Sequence, residues 1–195
     1  YFLMNVLFLL FFFCSKILCE GEQDYESIVY TKATSDFTDG YEIPNSFYQL
    51  LSSGDYLNNK PGLLRNTDNT YWTSHEVTED NPAILEIKFA RTVTVSGFLM
   101  KFGYCTRDGV RNWNGVPKTL KVYYSLNKEN YKLLAIFTGS ANMENIQFRF
   151  TNQIQCDNLK LEFVEVTKDV YITGKEPGGG LKVASVQNLR IMGSQ

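Results

Sequence analysis

The sequence has little of what enzymes use for chemistry. Its 195 residues contain one histidine, His75, and four cysteines. One histidine cannot supply a histidine-based metal cluster, and the sequence has no G-x-S-x-G nucleophile elbow, C-x-x-C pair or phosphate-cradling glycine motif. The adjacent carboxylates Glu79 and Asp80 lie in a polar stretch that is typical of a solvated turn. We therefore predict that the protein is not an enzyme.

An excess of charge of one sign is also lacking. Nineteen Lys and Arg residues stand against 21 Asp and Glu residues, which gives a formal net charge of -2. Proteins that bind phosphate backbones usually carry a strong basic field. This composition therefore argues against nucleic acid as a partner.

Long apolar runs are missing except near the start of the sequence. The segment from Phe2 to Phe13 is almost wholly apolar, Lys16 interrupts it, and an acidic sequence begins at Glu20. The run is shorter than the roughly 20 apolar residues of a membrane span and is typical of a signal peptide. We predict a signal peptide over 1–20, an N-terminal extension over 21–30, one domain over 31–195, and a secreted or cell-surface location. A membrane-tethered start is the alternative.

Few cysteines remain for the predicted domain. Cys14 and Cys19 fall in or beside the predicted signal peptide, which leaves Cys105 and Cys156. In an oxidising compartment, one remaining pair predicts one disulfide. Two separate buried thiols are the alternative.

What the sequence does have, from Ile84 onward, is alternation of apolar and polar residues. Leu85, Ile87 and Phe89 alternate with Glu86 and Lys88, and the pattern recurs at 120–124, 146–150, 159–163 and 189–191. A period of two indicates half-buried strands. We therefore predict an all-β antiparallel sandwich or barrel.

Two further segments and one helical candidate complete the predicted elements. Val95 to Tyr104 and Tyr131 to Phe137 are more continuously apolar, which favours central strands that are covered on both faces. Ser46 to Ser52 is the only moderate helical candidate. Pairs such as Asn114-Gly115 supply the turns between strands.

In order and spacing, four segments resemble the coagulation factor V/VIII type C, or discoidin, family. They are D-N-T-Y-W-T-S at 68–74, P-A-I-L-E-I-K-F at 82–89, V-S-G-F-L-M-K-F at 95–102 and G-V-P-K-T-L-K-V-Y-Y-S at 115–125. The closing N-L-R-I-M-G at 188–193 is similar to the last strand of the family. The resemblance covers about 31–193 and implies a galactose-binding-like β-sandwich of jelly-roll topology. It also implies that Trp72 is a core anchor.

The resemblance further implies a structural calcium site in the loop before Trp72. Asp68 and Thr70 match the ligands of calcium-binding relatives, and Asn66 is a further candidate. Asn188 stands where those relatives have a Glu on the last strand. Calcium prefers six to eight oxygens with several carboxylates, so losing one carboxylate weakens the site. A loop that is held by side-chain hydrogen bonds alone remains the alternative.

In this family, ligands bind at loops at one end of the sandwich. The corresponding loops are Thr73 to Asn81, Cys105 to Val116, Thr138 to Asn145 and Asp169 to Leu181. The second loop has the most side chains suited to ligand binding. A sugar needs an aromatic ring for its C–H face and polar groups for its hydroxyls, so the predicted ligand-binding residues are Arg107, Arg111, Trp113, Asn114 and His75.

These residues also allow a different interpretation. Trp113 would then pack over the edge of the sandwich, the arginines would be solvated, and His75 would be an ordinary surface residue. Loops on a rigid scaffold commonly carry function, which favours a binding surface.

The functional prediction is a secreted, non-catalytic, lectin-like module for cell-surface or matrix glycans. The alternative is an adhesion or structural protein that binds a protein partner through the same loops. Phospholipid ranks below both, because Val110 and Trp113 give only a small apolar tip and the overall charge is slightly negative.

Overall fold

The computed structural model describes residues 29–32, 41–54, 72–102, 104–105, 111–112, 115–127, 130–138, 145–167 and 182–195. The predicted signal peptide and most of the N-terminal extension lie outside these residues, so both stay predictions. Within the described ranges, no helix has the length and apolar character that crossing a bilayer requires.

The described residues form ten strands, and every pairing between them is antiparallel. The strands are β1 (Val29–Lys32), β2 (Tyr48–Ser52), β3 (Trp72–Glu76), β4 (Ala83–Phe102), β5 (Tyr104–Cys105), β6 (Arg111–Asn112), β7 (Pro117–Ser125), β8 (Lys132–Thr138), β9 (Asn145–Val166) and β10 (Val183–Ser194). One 3-10 turn, Asn45–Phe47, precedes β2, and there is no α-helix in the described ranges. The prediction of an all-β fold is confirmed.

Two long strands, β4 and β9, pass through both layers of the sandwich. The first layer has the order β3-β10-β4-β9-β1 and uses 93–102 of β4; the second has the order β2-β4-β9-β7-β8 and uses 83–89. Between the layers, Lys88 opposes Asn158 and Val93 opposes Cys156, so four residues of β4 face one residue of β9. Extra residues in one strand bend it, which lets the ribbon turn from one layer into the other.

The alternation in the sequence has its predicted consequence in β4. Leu85 and Ile87 are buried, whereas Glu86 is half-buried and Lys88 is exposed. Apolar side chains therefore face the opposite layer and polar ones face outward, as expected for a strand with one solvated face.

Aromatic side chains join the two layers across the core. The ring of Trp72 in β3 lies 5.8 Å from the ring of Phe163 in β9, and that of Phe137 in β8 lies 5.2 Å from Phe148. Trp72 is fully buried, which confirms its predicted role as a core anchor. Burying a large apolar side chain of this kind stabilises the fold by roughly 1.5–3 kcal/mol.

Two of the secondary-structure predictions were wrong. The helical candidate Ser46–Ser52 is mostly strand β2, because its backbone pairs with β4 and the Tyr48 ring packs edge-on against Phe89 at 6.0 Å. The segment expected to form a central strand, β8, pairs with β7 alone among the described residues and exposes Ile136. Its apolar side chains cover the edge of the second layer.

The two ends of the sandwich differ in how they are built. The connections β3–β4, β4–β7, β8–β9 and β9–β10 meet at one end, here called the loop end; β4 and β9 turn at the other, here called the bend end. The four predicted ligand loops correspond to the connections at the loop end. One boundary needs correction, since Thr73 to Glu76 belong to strand β3.

The predicted disulfide between Cys105 and Cys156 is wrong. Cys156 is a free, buried thiol that opposes Val93 at the bend end. Cys105 pairs with Arg111 beyond the far end of β4. The nine steps from Val93 to Phe102 span about 30 Å of strand, whereas a disulfide needs Cα atoms within about 7 Å. Burial, followed by the nearby Asp157 carboxylate, raises the pKa of the Cys156 thiol to about 12.

Candidate functional site

A tight turn carries the chain from β3 into β4 at the loop end. Thr78 and Asn81 exchange two backbone hydrogen bonds, of 3.3 and 3.2 Å, and Glu79 and Asp80 form the exposed tip between them. The backbone of Val77 donates to the Lys182 carbonyl at 2.6 Å, so the turn is tied to the start of β10. Glu79 therefore projects from a fixed backbone.

The exit from the Cys105–Val116 loop is held by the neighbouring strands. Val116 and Thr167 exchange two bonds, one from the Thr167 N–H to the Val116 carbonyl at 2.9 Å and one from the Val116 N–H to the Thr167 hydroxyl at 3.2 Å. Gly115 has a φ of 73°, and a Cβ there would meet the backbone N of Ser185 at 2.3 Å. Only glycine fits this close approach without strain.

A cleft of about 380 Å³ opens beside the turn, and we call it the loop-end cleft. Its polar lining combines carboxylates, hydroxyls and one ammonium group. Lys118 forms a 3.0 Å ion pair with Glu165 at its margin. The lining residues are Val77, Thr78, Glu79, Thr119, Val164, Glu165 and Lys182.

These groups suit a ligand that is rich in hydroxyls. Carboxylates accept hydrogen bonds from hydroxyls, ammonium groups donate to them, and threonine hydroxyls do both. Glu79 and Lys182 come from connecting segments, whereas Thr119 and Glu165 lie on strands β7 and β9. The sequence pattern indicated Glu79 only as a turn residue and gave no sign of Thr119, Glu165 or Lys182. No local signal marks them, because only the strand order brings them together.

His75 is the predicted ligand residue whose side chain the structure describes. It lies half-buried on β3 with its ring against Gly54, where a Cβ would meet Nδ1 at 2.9 Å. Its Nε2 is buried and has no hydrogen-bond partner among the described residues. The ring thus fills the seam between β3 and the residues after β2, and its ligand role stays a prediction.

The other predicted ligand residues are only partly placed. Arg107, Trp113 and Asn114 lie outside the described residues. The backbone of Arg111 is part of β6, which follows β4 at the loop end. The side chain of Arg111 is not among the described parts of the structure. The structure therefore brings the Arg111 backbone, Gly115 and His75 to the same end of the sandwich.

The calcium prediction rests on one described donor. Asn188 lies on β10, and Val186, two residues before it, pairs with Trp72. Its Oδ1 is buried. Asn66, Asp68 and Thr70, the other predicted ligands, precede Trp72 in sequence and lie outside the described residues. All four offer oxygen donors, which fit a hard cation such as calcium.

Solved structures match the chain, whereas no protein-family model and no curated protein sequence does. One of these structures comprises the CBM32-1, CBM32-2 and M60 catalytic domains of Clostridium perfringens ZmpB; it has a TM-score of 0.68 and 16% identity over 92% of this chain. The chain spans 18% of that structure. Most of the ZmpB structure therefore has no counterpart here.

Two matched structures are nearly covered by the chain. One is the family 32 carbohydrate-binding module of C. perfringens NanJ in complex with galactose, with a TM-score of 0.58 and 17% identity over 77% of this chain and 96% of the module. The other is CpGH89CBM32-5 from the same organism with GalNAc-β-1,3-galactose, with a TM-score of 0.56 and 15% identity over 78% and 99%. The chain thus has the discoidin-like, galactose-binding-like sandwich fold, as the resemblance implied.

Proposed function

We propose that the protein is a secreted, non-catalytic module that binds a galactose-type saccharide at the loop end. The observation that carries this proposal is the loop-end cleft, in which Glu79, Thr119, Glu165 and Lys182 face one space of about 380 Å³. Small-ligand sites are typically clefts of about this size with a few converging polar groups.

In this proposal, the Cys105–Val116 loop supplies the aromatic ring that the described lining of the loop-end cleft lacks. In sequence, Trp113 follows β6 and precedes Gly115, whose carbonyl accepts a 3.3 Å hydrogen bond from the Ser185 N–H of β10. In this proposal, the Trp113 ring stacks on the C–H face of the sugar, with Arg107, Arg111, Asn114 and His75 beside it. Two matched modules were solved with galactose or GalNAc-β-1,3-galactose, which supports a galactose-type ligand.

Export is part of the same proposal, and the apolar segment at 2–13 supports it. A binding module for surface or matrix glycans acts where those glycans occur, outside the cell. The proposal includes no catalytic step, in keeping with the single histidine and the lack of a nucleophile motif.

A glycan array followed by calorimetric titration with galactose and N-acetylgalactosamine tests the function. Trp113→Ala should abolish measurable binding. Glu79→Ala should raise Kd about tenfold or more, because it removes a charged hydrogen-bond acceptor. Glu76→Ala is the matched control: Glu76 is an exposed glutamate at the same end but does not line the cleft, so its Kd should stay within about twofold.

Other results would assign the loop end to another class of partner. A blank array together with capture of one defined surface protein, lost in Trp113→Ala, would replace the glycan with a protein partner. Binding to phosphatidylserine vesicles with a blank array would favour phospholipid. Equal effects of Glu79→Ala and Glu76→Ala would remove the loop-end cleft from the proposal.

A further inference from the structure

A second cleft opens on the outer face of the layer that contains β7 and β8, close to the bend end. It has a volume of about 360 Å³. We propose that it is a second saccharide-binding site, separate from the loop-end cleft, and we call it the Tyr131 cleft. The residues that carry the proposal are Glu86, Phe89, Ser125, Tyr131, Asp157 and Asn158.

Strand register places the polar groups of this cleft side by side. Asn158 of β9 opposes Lys88 of β4 on one side and Ser125 of β7 on the other. Glu86 lies two residues from Lys88 and therefore faces the same outer surface. The single residue at the corner of β9, Asp157, completes the row. Three adjacent strands thus present their polar side chains to one space.

Tyr131 forms an aromatic wall whose position is fixed. Its hydroxyl donates a hydrogen bond to Oε1 of Glu86. The Lys160 ammonium lies 5.2 Å from the Tyr131 ring and 4.1 Å from the Tyr123 ring. Phe89 adds a second, mostly buried ring to the lining. An immobilised ring at the border of a polar cleft suits the C–H face of a sugar.

The opposite side of the cleft is a pre-ordered row of polar groups. The Ser125 hydroxyl donates to Oδ1 of Asp157 at 3.3 Å, and the Asn158 amide donates to the same oxygen at 2.7 Å and to the Ser125 hydroxyl at 3.1 Å. The other carboxylate, Glu86, also pairs with Lys88 at 3.4 Å. A carboxylate offers about four acceptor positions, so Glu86 retains capacity for ligand hydroxyls. Groups that are already ordered lose less entropy on binding.

The charge of the cleft does not favour anions. Glu86 and Asp157 stand against Lys88 in the lining, and the nearby Lys160 is paired with Glu162 at 3.5 Å. The lining therefore has no excess of positive charge for phosphate or sulfate, whereas neutral hydroxyls find carboxylate, amide and ammonium partners. Aromatic wall, polar row and charge together fit a neutral saccharide. A second site would make the chain bivalent and increase its avidity for a glycan chain.

Nuclear magnetic resonance on the full chain tests this site directly. The uniformly 15N-labelled protein is titrated with six neutral sugars: galactose, N-acetylgalactosamine, glucose, N-acetylglucosamine, mannose and fucose. At least one should shift the backbone amides of Lys88, Tyr131 and Asn158 and the side-chain amide of Asn158. If none of the six shifts these signals, the proposal is overturned.

Variants separate ligand contact from a structural role. Tyr131→Ala should raise Kd at this cleft about tenfold or more, since it removes the aromatic wall. Tyr123→Ala is the matched control, because Tyr123 contacts the same lysine but does not line the cleft. It should change Kd less than about twofold. Equal losses in both variants would overturn the proposal and leave a structural surface network. If Tyr131→Ala does not fold, Tyr131→Phe keeps the ring and should raise Kd about fivefold through the lost bond that orients Glu86.

The same titrations distinguish this site from the proposed function. Shifts confined to the loop end, around Glu79 and Gly115, would overturn the Tyr131 cleft and leave the loop-end function standing. Shifts confined to the Tyr131 cleft would do the reverse. Shifts at both ends, with Glu79→Ala and Tyr131→Ala each removing only its own set, support both sites.

Discussion

The loop-end cleft and the Tyr131 cleft use the same sandwich in different ways. The loop-end cleft collects Glu79 and Lys182 from connections, together with Thr119 and Glu165 from strands. The Tyr131 cleft uses residues of adjacent strands that bond to one another, together with Tyr131, which directly precedes β8. Lengthening or replacing a connection at the loop end therefore reshapes the first cleft but leaves the second intact. The sandwich supports one adaptable surface and one rigid surface. Substitutions at each end of the sandwich test this difference.

The largest effect is expected beneath the loop end, at Trp72. Trp72→Ala removes a fully buried ring and its contact with Phe163, so the free energy of unfolding should fall by about 3–5 kcal/mol. Urea denaturation followed by fluorescence and circular dichroism measures this loss. Tyr131→Ala, at the half-exposed wall of the other cleft, should cost no more than about 1 kcal/mol. Similar losses in the two variants would contradict the view that the Trp72 ring belongs to the core and the Tyr131 ring to the surface.

An intermediate effect is expected if calcium stabilises the loop end. Free calcium at a hundred times its Kd stabilises the folded protein by about 2.7 kcal/mol, so its removal by EDTA should lower Tm by roughly 5–10 °C. Asn188→Asp restores a carboxylate at the described donor position and should enlarge the EDTA-dependent shift. Differential scanning calorimetry with elemental analysis makes the measurement. An unchanged Tm with no calcium detected would leave the alternative, a loop that is held by hydrogen bonds alone.

The smallest effect on stability at neutral pH is expected for Cys156, which lies at the bend end. Its thiol has a pKa of about 12 in the folded protein against an ordinary value of 9.0. The unfolded chain therefore loses this proton first, so the stabilisation is complete below pH 9 and is lost as the pH rises toward 12. Cys156→Ala should make the decline in stability between pH 9 and 11 less steep. Denaturation at several pH values measures both slopes, and identical slopes would show that the thiol does not contribute.

Burial of Tyr131 and its bond to Glu86 also raise the pKa of that phenol, and burial with the nearby Glu42 raises that of Tyr48. Both act in the same direction as Cys156, because the neutral form is favoured in the folded protein. Part of the decline at high pH should therefore persist in Cys156→Ala. The difference between the two slopes, rather than the whole decline, is the measure of Cys156.

Local pattern predicted the fold wherever one face of a strand is solvated. Leu159, Leu161 and Phe163 are buried and alternate with half-exposed Lys160 and Glu162, as their period of two requires. The pattern failed where pairing decides the outcome. Tyr48 to Ser52 form a strand because β4 lies beside them, a fact that the segment itself does not contain.

For the candidate site, the sequence indicated only one end of the sandwich. The loops that the resemblance selected connect strands at the loop end, and their ligand role stays a prediction; Gly115 marked a turn that the structure confirms. Thr119 and Glu165 had no local signal, since β7 and β9 bring them together from 46 residues apart. The disulfide prediction failed for the same reason: counting cysteines gives a pair, whereas strand direction decides whether its members can meet.

The bent ribbon of β4 and β9 has a consequence for how the chain folds. Its paired residues lie between 44 and 80 positions apart in sequence, from Lys101 with Asn145 to Ala83 with Phe163. Neither layer can form its centre until both strands are present, so the layers fold and unfold as one cooperative unit. Closing such long loops before any contact compensates for the lost entropy is slow. Folding on the millisecond-to-second scale of other β-sandwiches follows from this ribbon.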